Sequence, residues 1–437
     1  MIYSLLVILI ITLALFYKKR FHYILSPSII VIAGFVMSVS VAAINVDIWG
    51  DISFNTALVI ISGVLFFAFG GYSAGNPICV RKVEHNERPD IISISLPITI
   101  VAIIFMLYTT YLDYLDLVRY AGTGVLGLFN MIASARTNTY LENESFSHSS
   151  FLIHCLYISK VITFIFIYYI AYLFVFLKKR VRWIYFSPII LYFVQALLST
   201  GRTDFIYVLY AILVTYYLLA KSKDGWTFNS DKKFYVKIAI TFGVFIGIFF
   251  GLSIVRKGGD VDAWGNIGGY IGASIAALNK YVNENGLSST ASYFGEQTQI
   301  LYYSILNAMH LSDKSGVIVL DPVYFGKNQG FTNIYTALYR YLHDYGILGM
   351  WVIMYVIGFV FTKLFQNIIK NGISARGVIN YAFFTYPLVE MSIEERFFSN
   401  LITARSVFCY IYIWILYKIM IKRQRNCENT LNATTIR

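Results

Sequence analysis

Apolar residues in this chain come in long unbroken runs; they neither alternate with polar ones nor form a stripe on one helical face. A run of about 18 apolar residues, wound as a helix, is long enough to cross a hydrocarbon core about 30 Å thick. Eleven such runs can be marked, with limits near 2–17, 27–46, 54–72, 91–112, 151–177, 183–200, 203–220, 234–254, 334–365, 377–393 and 400–420. A membrane β-barrel would instead need segments of about ten residues that alternate apolar and polar. The pattern predicts an all-α fold: a polytopic membrane helix bundle of about 11 transmembrane helices.

The polar punctuation sets the sidedness. The first basic cluster, Lys18-Lys19-Arg20, follows the first apolar run instead of preceding it, the wrong order for a cleaved signal peptide. With basic residues kept in the cytoplasm, Met1 is expected outside and Arg437 inside. Residues 1–254 then hold helices one to eight, with an external loop at 113–150. Residues 255–333 form a large external loop, 334–420 helices nine to eleven, and 421–437 a cytoplasmic tail. The large loop has weakly amphipathic stretches around Tyr270–Tyr281 and Ile300–Met309, and aromatics at Trp264, Tyr270, Phe294, Tyr302 and Phe325. It reads as an external subdomain, since long loops in a packed protein are usually functional.

Composition agrees. Of 437 residues, 58% are hydrophobic and 13% charged, which excludes a soluble globular protein. The net charge of +12 does not point to nucleic acid, because most Lys and Arg fall in the segments assigned to the cytoplasm, where they act as topology signals and contact anionic lipid. The lipid bilayer is the partner this implies. Cys79, Cys155, Cys409 and Cys427 fall in cytoplasmic segments or spans, so no disulfide framework is expected.

Three polar clusters could carry chemistry on the external side. The first is Ser199-Thr200-Gly201-Arg202-Thr203-Asp204, a short turn at the start of the seventh span. Its free N–H groups and the positive end of the helix dipole would lie beside Arg202, making an anion site; a capped tight turn is the alternative. The second runs from Thr332 to Gly349. At helical spacing Thr336, Arg340 and Asp344 share one face, and Tyr335, Tyr339 and His343 form the adjacent stripe. A helix from Ile334 to Phe365 would be about 48 Å long, so its first turns should stand at or above the surface unless Gly346 breaks it. Tyrosine faces suit sugar stacking, and His343 beside Asp344 offers a group for general base work. An interfacial tyrosine belt with an Arg340–Asp344 pair is the bland reading. The third is Glu390, Glu394, Glu395 and Arg396, followed by Arg405, the deepest external arginine, with Glu390 as its plausible partner. Arginine predominates among the external cations, and its planar fork suits a diphosphate. The sequence has no cysteine–histidine metal spacing, phosphate-binding loop or dinucleotide fingerprint, so no metal and no cofactor is expected.

At these residues the chain resembles the oligosaccharide repeat-unit polymerases of bacterial surface polysaccharides, the Wzy-type O-antigen and capsule polymerases. The resemblance rests on Ser199-Thr200-Gly201-Arg202-Thr203, similar to that family's Ser-Gly-x-Arg-Thr turn, and on Thr332-Asn333-Ile334-Tyr335-Thr336 followed by Arg340, Asp344, Gly346 and Gly349. Many spans and one large external loop late in the chain agree with it. A repeated Arg-x10-Gly signature described for some polymerases is missing, because neither Arg202 nor Arg256 has glycine eleven residues on.

The resemblance implies a glycosyltransferase of the bacterial inner membrane with its active site facing the periplasm. Its donor and acceptor would be glycans linked to undecaprenyl diphosphate, and its further partners a chain-length regulator and a flippase. Arg202, Arg256, Arg340 and Arg405 would bind diphosphate; Tyr335, Tyr339, Asn333 and Thr336 would bind substrate; His343 or Asp344 would activate or orient the acceptor hydroxyl. Rival readings are an O-antigen ligase, a polyprenyl-phosphate-sugar glycosyltransferase using Asp47 or Asp51, and a polysaccharide flippase. A flippase should place charge at mid-span on several helices, where Lys160 is nearly alone.

Overall fold

The computed structural model describes residues 1–18, 23–75, 91–121, 148–178, 180–199, 203–226, 263–314, 322–326, 330–370 and 372–424, with scattered positions between 131 and 251 and at 320. In chain order the elements are helices α1 (Ile2–Phe16), α2 (Pro27–Ile44), α3 (Val46–Trp49), α4 (Phe54–Ser73), α5 (Leu96–Ala121), α6 (Ser150–Tyr172), α7 (Ser187–Leu198), α8 (Thr203–Lys223), α9 (Ala263–Asn285), α10 (Ile300–Ala308), α11 (Ala337–Lys370), α12 (Ala375–Phe384), α13 (Pro387–Glu390) and α14 (Ala404–Met420). The strands are β1 (Ile91–Ser93), β2 (Val323–Phe325), β3 (Gly330–Thr332) and β4 (Lys422–Gln424); β1 pairs antiparallel with β4, and β2 with β3.

The architecture is that of a multi-pass membrane helix bundle. Among the described residues six helices are long and apolar enough to cross a membrane: 27–44, 54–73, 96–119, 150–177, 203–223 and 337–370. Ile2–Phe16 and Trp183–Leu198 are apolar but shorter. The run expected at 377–393 is divided, because α12 ends at Phe384 and α13 starts afresh at Pro387, whose ring supplies no N–H to continue a helix. The run at 234–254 lies largely outside the described residues.

The chain forms two compact units: residues 1–81, 261–370 and 384–407, and residues 82–260, 371–383 and 408–437. In the first unit α4 and α11 pack at very close range. A Cβ at Gly70 would collide with the Tyr355 carbonyl oxygen, and one at Gly358 with that of Phe67. Such contacts let helices associate where no hydrophobic driving force separates them from lipid. Phe66 stacks on Trp351 at 4.9 Å, and the Trp351 indole donates to Ser62 Oγ at 2.8 Å. The segment expected as a loop subdomain contributes α9, which lies along α2: Gly272 abuts Val41 and Ala42, and Ser274 Oγ donates to the Ser392 carbonyl. Helix starts follow local chemistry, with Ser53 capping α4 through Thr56 N and Pro27 at the first turn of α2.

In the second unit, Gln195 of α7 donates to Met106 O and Thr110 Oγ1 of α5 and to Ser159 Oγ of α6, tying three helices with one amide. The nearly isolated intramembrane Lys160 has a partner: its Nζ lies 3.1 Å from Asp204 Oδ1 and over the Tyr207 ring at 4.2 Å, while Tyr192 Oη donates to the same Asp204 oxygen at 2.8 Å. Cys155 and Cys409 are buried thiols, not joined in a disulfide.

Candidate functional site

The site is built where α11 breaks. Its apparent 34-residue length includes Gly346 at φ 66°, ψ −175°, a conformation open essentially to glycine alone. Of the alternatives the sequence left open, the break is what occurs. The carbonyls of His343 and Asp344, freed from helical bonding, are taken up by the segment after α9. Thr290 N and Ala291 N donate to His343 O at 3.0 and 3.2 Å, Ser289 Oγ donates to both carbonyls, and Ile347 N restarts the helix from Leu287 O. Both of these carbonyls are bonded within the protein, which is how irregular backbone is tolerated inside a helical membrane protein.

The rings of the expected stripe meet, although the helix expected from Ile334 begins at Ala337 and Tyr335 precedes it in non-helical backbone. Tyr335 stacks on Tyr339 with centroids 4.3 Å apart, Tyr339 lies 6.0 Å from His343, and Tyr281 of α9 meets Tyr339 edge-on at 4.7 Å. Burial holds the Tyr281 phenol above its ordinary titration range, so it remains a neutral hydroxyl against Thr290 Oγ1 at 2.7 Å.

His343 and Asp344 act as a pair. The Asp344 side chain is 0% exposed and accepts from Gln297 N at 3.0 Å on both oxygens, from Thr298 Oγ1 at 2.7 Å and from His343 Nδ1 at 2.9 Å. Held by these donors and sealed from solvent, the carboxylate is placed to orient the imidazole through Nδ1, which leaves Nε2 of His343, on a side chain 13% exposed, as the other ring nitrogen.

Arg340 adjoins this pair through Gln297, whose backbone N–H binds Asp344, whose carbonyl accepts from Arg340 Nη1 at 3.4 Å, and whose amide donates to Tyr339 Oη at 3.3 Å. The bland Arg340–Asp344 pair does not form. Arg340 faces Glu394 instead, at a long 3.9 Å, and Glu394 is held by Arg396, which also binds Glu390 at 3.1 Å. Two buried polar atoms here have no hydrogen-bond partner among the described residues: Arg340 Nε and Gln297 Oε1. A donor and an acceptor left unused in a buried site each carry a desolvation cost of about 1–3 kcal/mol.

The remaining expected residues are placed as follows. Thr336 is fully buried and caps α11 by accepting from Tyr339 N, so it serves the fold, while Asn333 is exposed next to it. Arg405 stands in the first turn of α14, half-buried, and Glu390 binds Arg396. Arg202 and Arg256 lie outside the described residues; of the turn's polar groups, Asp204 is engaged with Lys160 and Tyr192. Asp51 accepts from Ile2 N and Ile52 N at 2.8 Å, and Asp47 is exposed. Arg396, from the third cluster, adjoins the site; Tyr281, Gln297 and Thr298 complete it and were not singled out from the sequence. Among the described residues no group of three or more His, Cys, Asp or Glu is arranged to hold a metal ion.

Compared with protein-family models, curated proteins and solved structures, the chain matches none.

Proposed function

We propose that the chain is a lipid-linked oligosaccharide repeat-unit polymerase: it transfers a growing glycan from undecaprenyl diphosphate to a hydroxyl of an incoming lipid-linked repeat unit, on the periplasmic face of the bacterial inner membrane. One observation carries the reading. A histidine paired with a buried Asp stands beside a stack of tyrosine rings and an under-committed buried arginine, at a helix break in a membrane bundle.

Each part then has a task. His343 Nε2 takes the proton of the acceptor hydroxyl as its oxygen bonds to the anomeric carbon. The bond from that carbon to the diphosphate oxygen breaks with its electron pair, and the proton later leaves His343 to solvent or to the departing diphosphate. Asp344 holds the imidazole and stabilises its charged form. Arg340, with Arg396 behind it, meets the charge developing on the leaving diphosphate, where a donor placed in advance in a water-poor site is most effective. The stacked Tyr335 and Tyr339, with Tyr281, offer ring faces and hydroxyls to a sugar.

The test is purified protein in vesicles with purified lipid-linked repeat unit as the sole substrate. A polymerase makes a ladder of products. Formation of product only when a lipid A core acceptor is added assigns the chain as a ligase, and absence of any product rejects the proposal.

A further inference from the structure

Helix α9 presents Tyr281 to the site on one face and lines an open groove of about 650 Å³ with another. Ala276, Asn279, Lys280 and Asn283, at helical spacing, form one wall with Glu284; Trp49, Tyr324, Phe325 and Gly326 form the other. The walls are tied in place. Trp49 meets Phe325 edge-on at 5.9 Å, and Gly326, at φ 74°, lets the β2–β3 hairpin rest on the Ile48–Trp49 backbone, where a Cβ would collide with Ile48 O. Lys280 Nζ donates to Tyr324 O at 3.0 Å, and Asn279 Oδ1 accepts from Ser53 N and Thr56 Oγ1, both at 2.9 Å.

The chemistry left facing the groove narrows its ligand. Tyr324 is 56% exposed, and Asn283 is exposed and makes no hydrogen bond among the described residues. Lys280 and Glu284 lie 3.8 Å apart, so their charges largely cancel. A phosphate would meet the Glu284 carboxylate, and an acyl chain would strip water from Lys280, Glu284 and Asn283 without replacing it. A hydroxylated ring with an apolar C–H face satisfies all of them, stacking on an aromatic side chain while its hydroxyls bond amide, ammonium and carboxylate.

We propose that this groove is a glycan subsite that binds uncharged sugar units of the polymer away from the point of transfer. The proposal rests on the polymerase reading for the identity of the glycan, but its binding test does not. The probe is short oligosaccharides cut from the host strain's own surface polysaccharide and freed of lipid, measured by equilibrium dialysis against the full-length protein in detergent. Trp49→Ala with Tyr324→Ala should weaken binding by about tenfold, two aromatic contacts being lost, and the exposed change Asn283→Ala should weaken it without touching the fold. His343→Ala should bind as the unaltered protein does. In the polymerase assay the groove variants should shorten the ladder and leave the rate of the first transfer unchanged. Equal affinity of the groove variants and the unaltered protein, or no binding by the latter, overturns the subsite. A failed ladder assay with oligosaccharide binding intact rejects the polymerase reading alone.

Discussion

Replacing Gly346 by alanine perturbs the break on which the site depends, by an amount the geometry bounds. At φ 66°, ψ −175° a residue with a Cβ is strained by about 1–3 kcal/mol. The new Cβ would also lie 3.2 Å from Ser289 N and 3.4 Å from Leu287 O, so the segment that covers the freed carbonyls must yield by a few tenths of an ångström. The chain could relieve the strain by straightening the helix. That would forfeit the bonds from Ser289 Oγ, Thr290 N and Ala291 N to the His343 and Asp344 carbonyls, and the one from Ile347 N to Leu287 O, at about 1 kcal/mol each, against one or two helical bonds regained. Retaining the break is cheaper, so the strain should appear as easier local opening. Hydrogen exchange at the amides of Thr290, Ala291 and Ile347 should speed up by about fivefold to a hundredfold, at 1.4 kcal/mol per factor of ten. Amides deep in α4 should not change. Protection of these three amides equal to that of the unaltered protein would refute the reasoning, because it would mean that neither strain nor contact is felt at this position.

Other changes probe independent parts of the structure. Arg340→Lys keeps the charge but loses the fork, and should lower the transfer rate by about tenfold to a hundredfold at unchanged membrane abundance, one or two charge-assisted hydrogen bonds being lost; an unchanged rate removes Arg340 from the diphosphate role. Lys160→Met alone removes the Lys160 cation from Asp204 and should lower the amount of folded protein, whereas Lys160→Met with Asp204→Asn should recover much of it; equal abundance in both refutes the pairing, read by detergent-resistant fluorescence of a tagged chain. Gly70→Leu should abolish folding, since its side chain would occupy the space of the Tyr355 carbonyl; a monodisperse, active Gly70→Leu protein would refute the close approach of α4 and α11.

What the sequence made legible was what repeats along one helix. Tyr339 and His343 sit four residues apart on α11, so their shared face could be read before any coordinates, whereas Tyr335 reaches the stack from the non-helical backbone before Ala337. The membrane class was equally plain, because apolar runs of span length have few other uses. Gln297 and Thr298 gave no such signal. They lie 47 and 46 residues from Asp344, and only the path of the chain after α9 brings their donors to its carboxylate. The Lys160–Asp204 pair, 44 residues apart on two helices, was hidden for the same reason. Spans were harder to count than to detect: hydropathy averages over residues and does not register the end of α12 at Phe384 or the fresh start at Pro387. The pairing of Glu390 with Arg396 was not legible because Arg396, six residues on, folds back across a turn of non-helical backbone instead of following a helical spacing.

The rate of the first transfer between two lipid-linked repeat units, followed for purified His343→Ala in vesicles beside the unaltered protein, tests the central claim most directly. If Nε2 of the Asp344-held imidazole takes the acceptor proton, the rate should fall by about a hundredfold to ten-thousandfold while the protein stays folded and oligosaccharide binding in the α9 groove persists. A His343→Ala protein that makes the first product at the unaltered rate would contradict it.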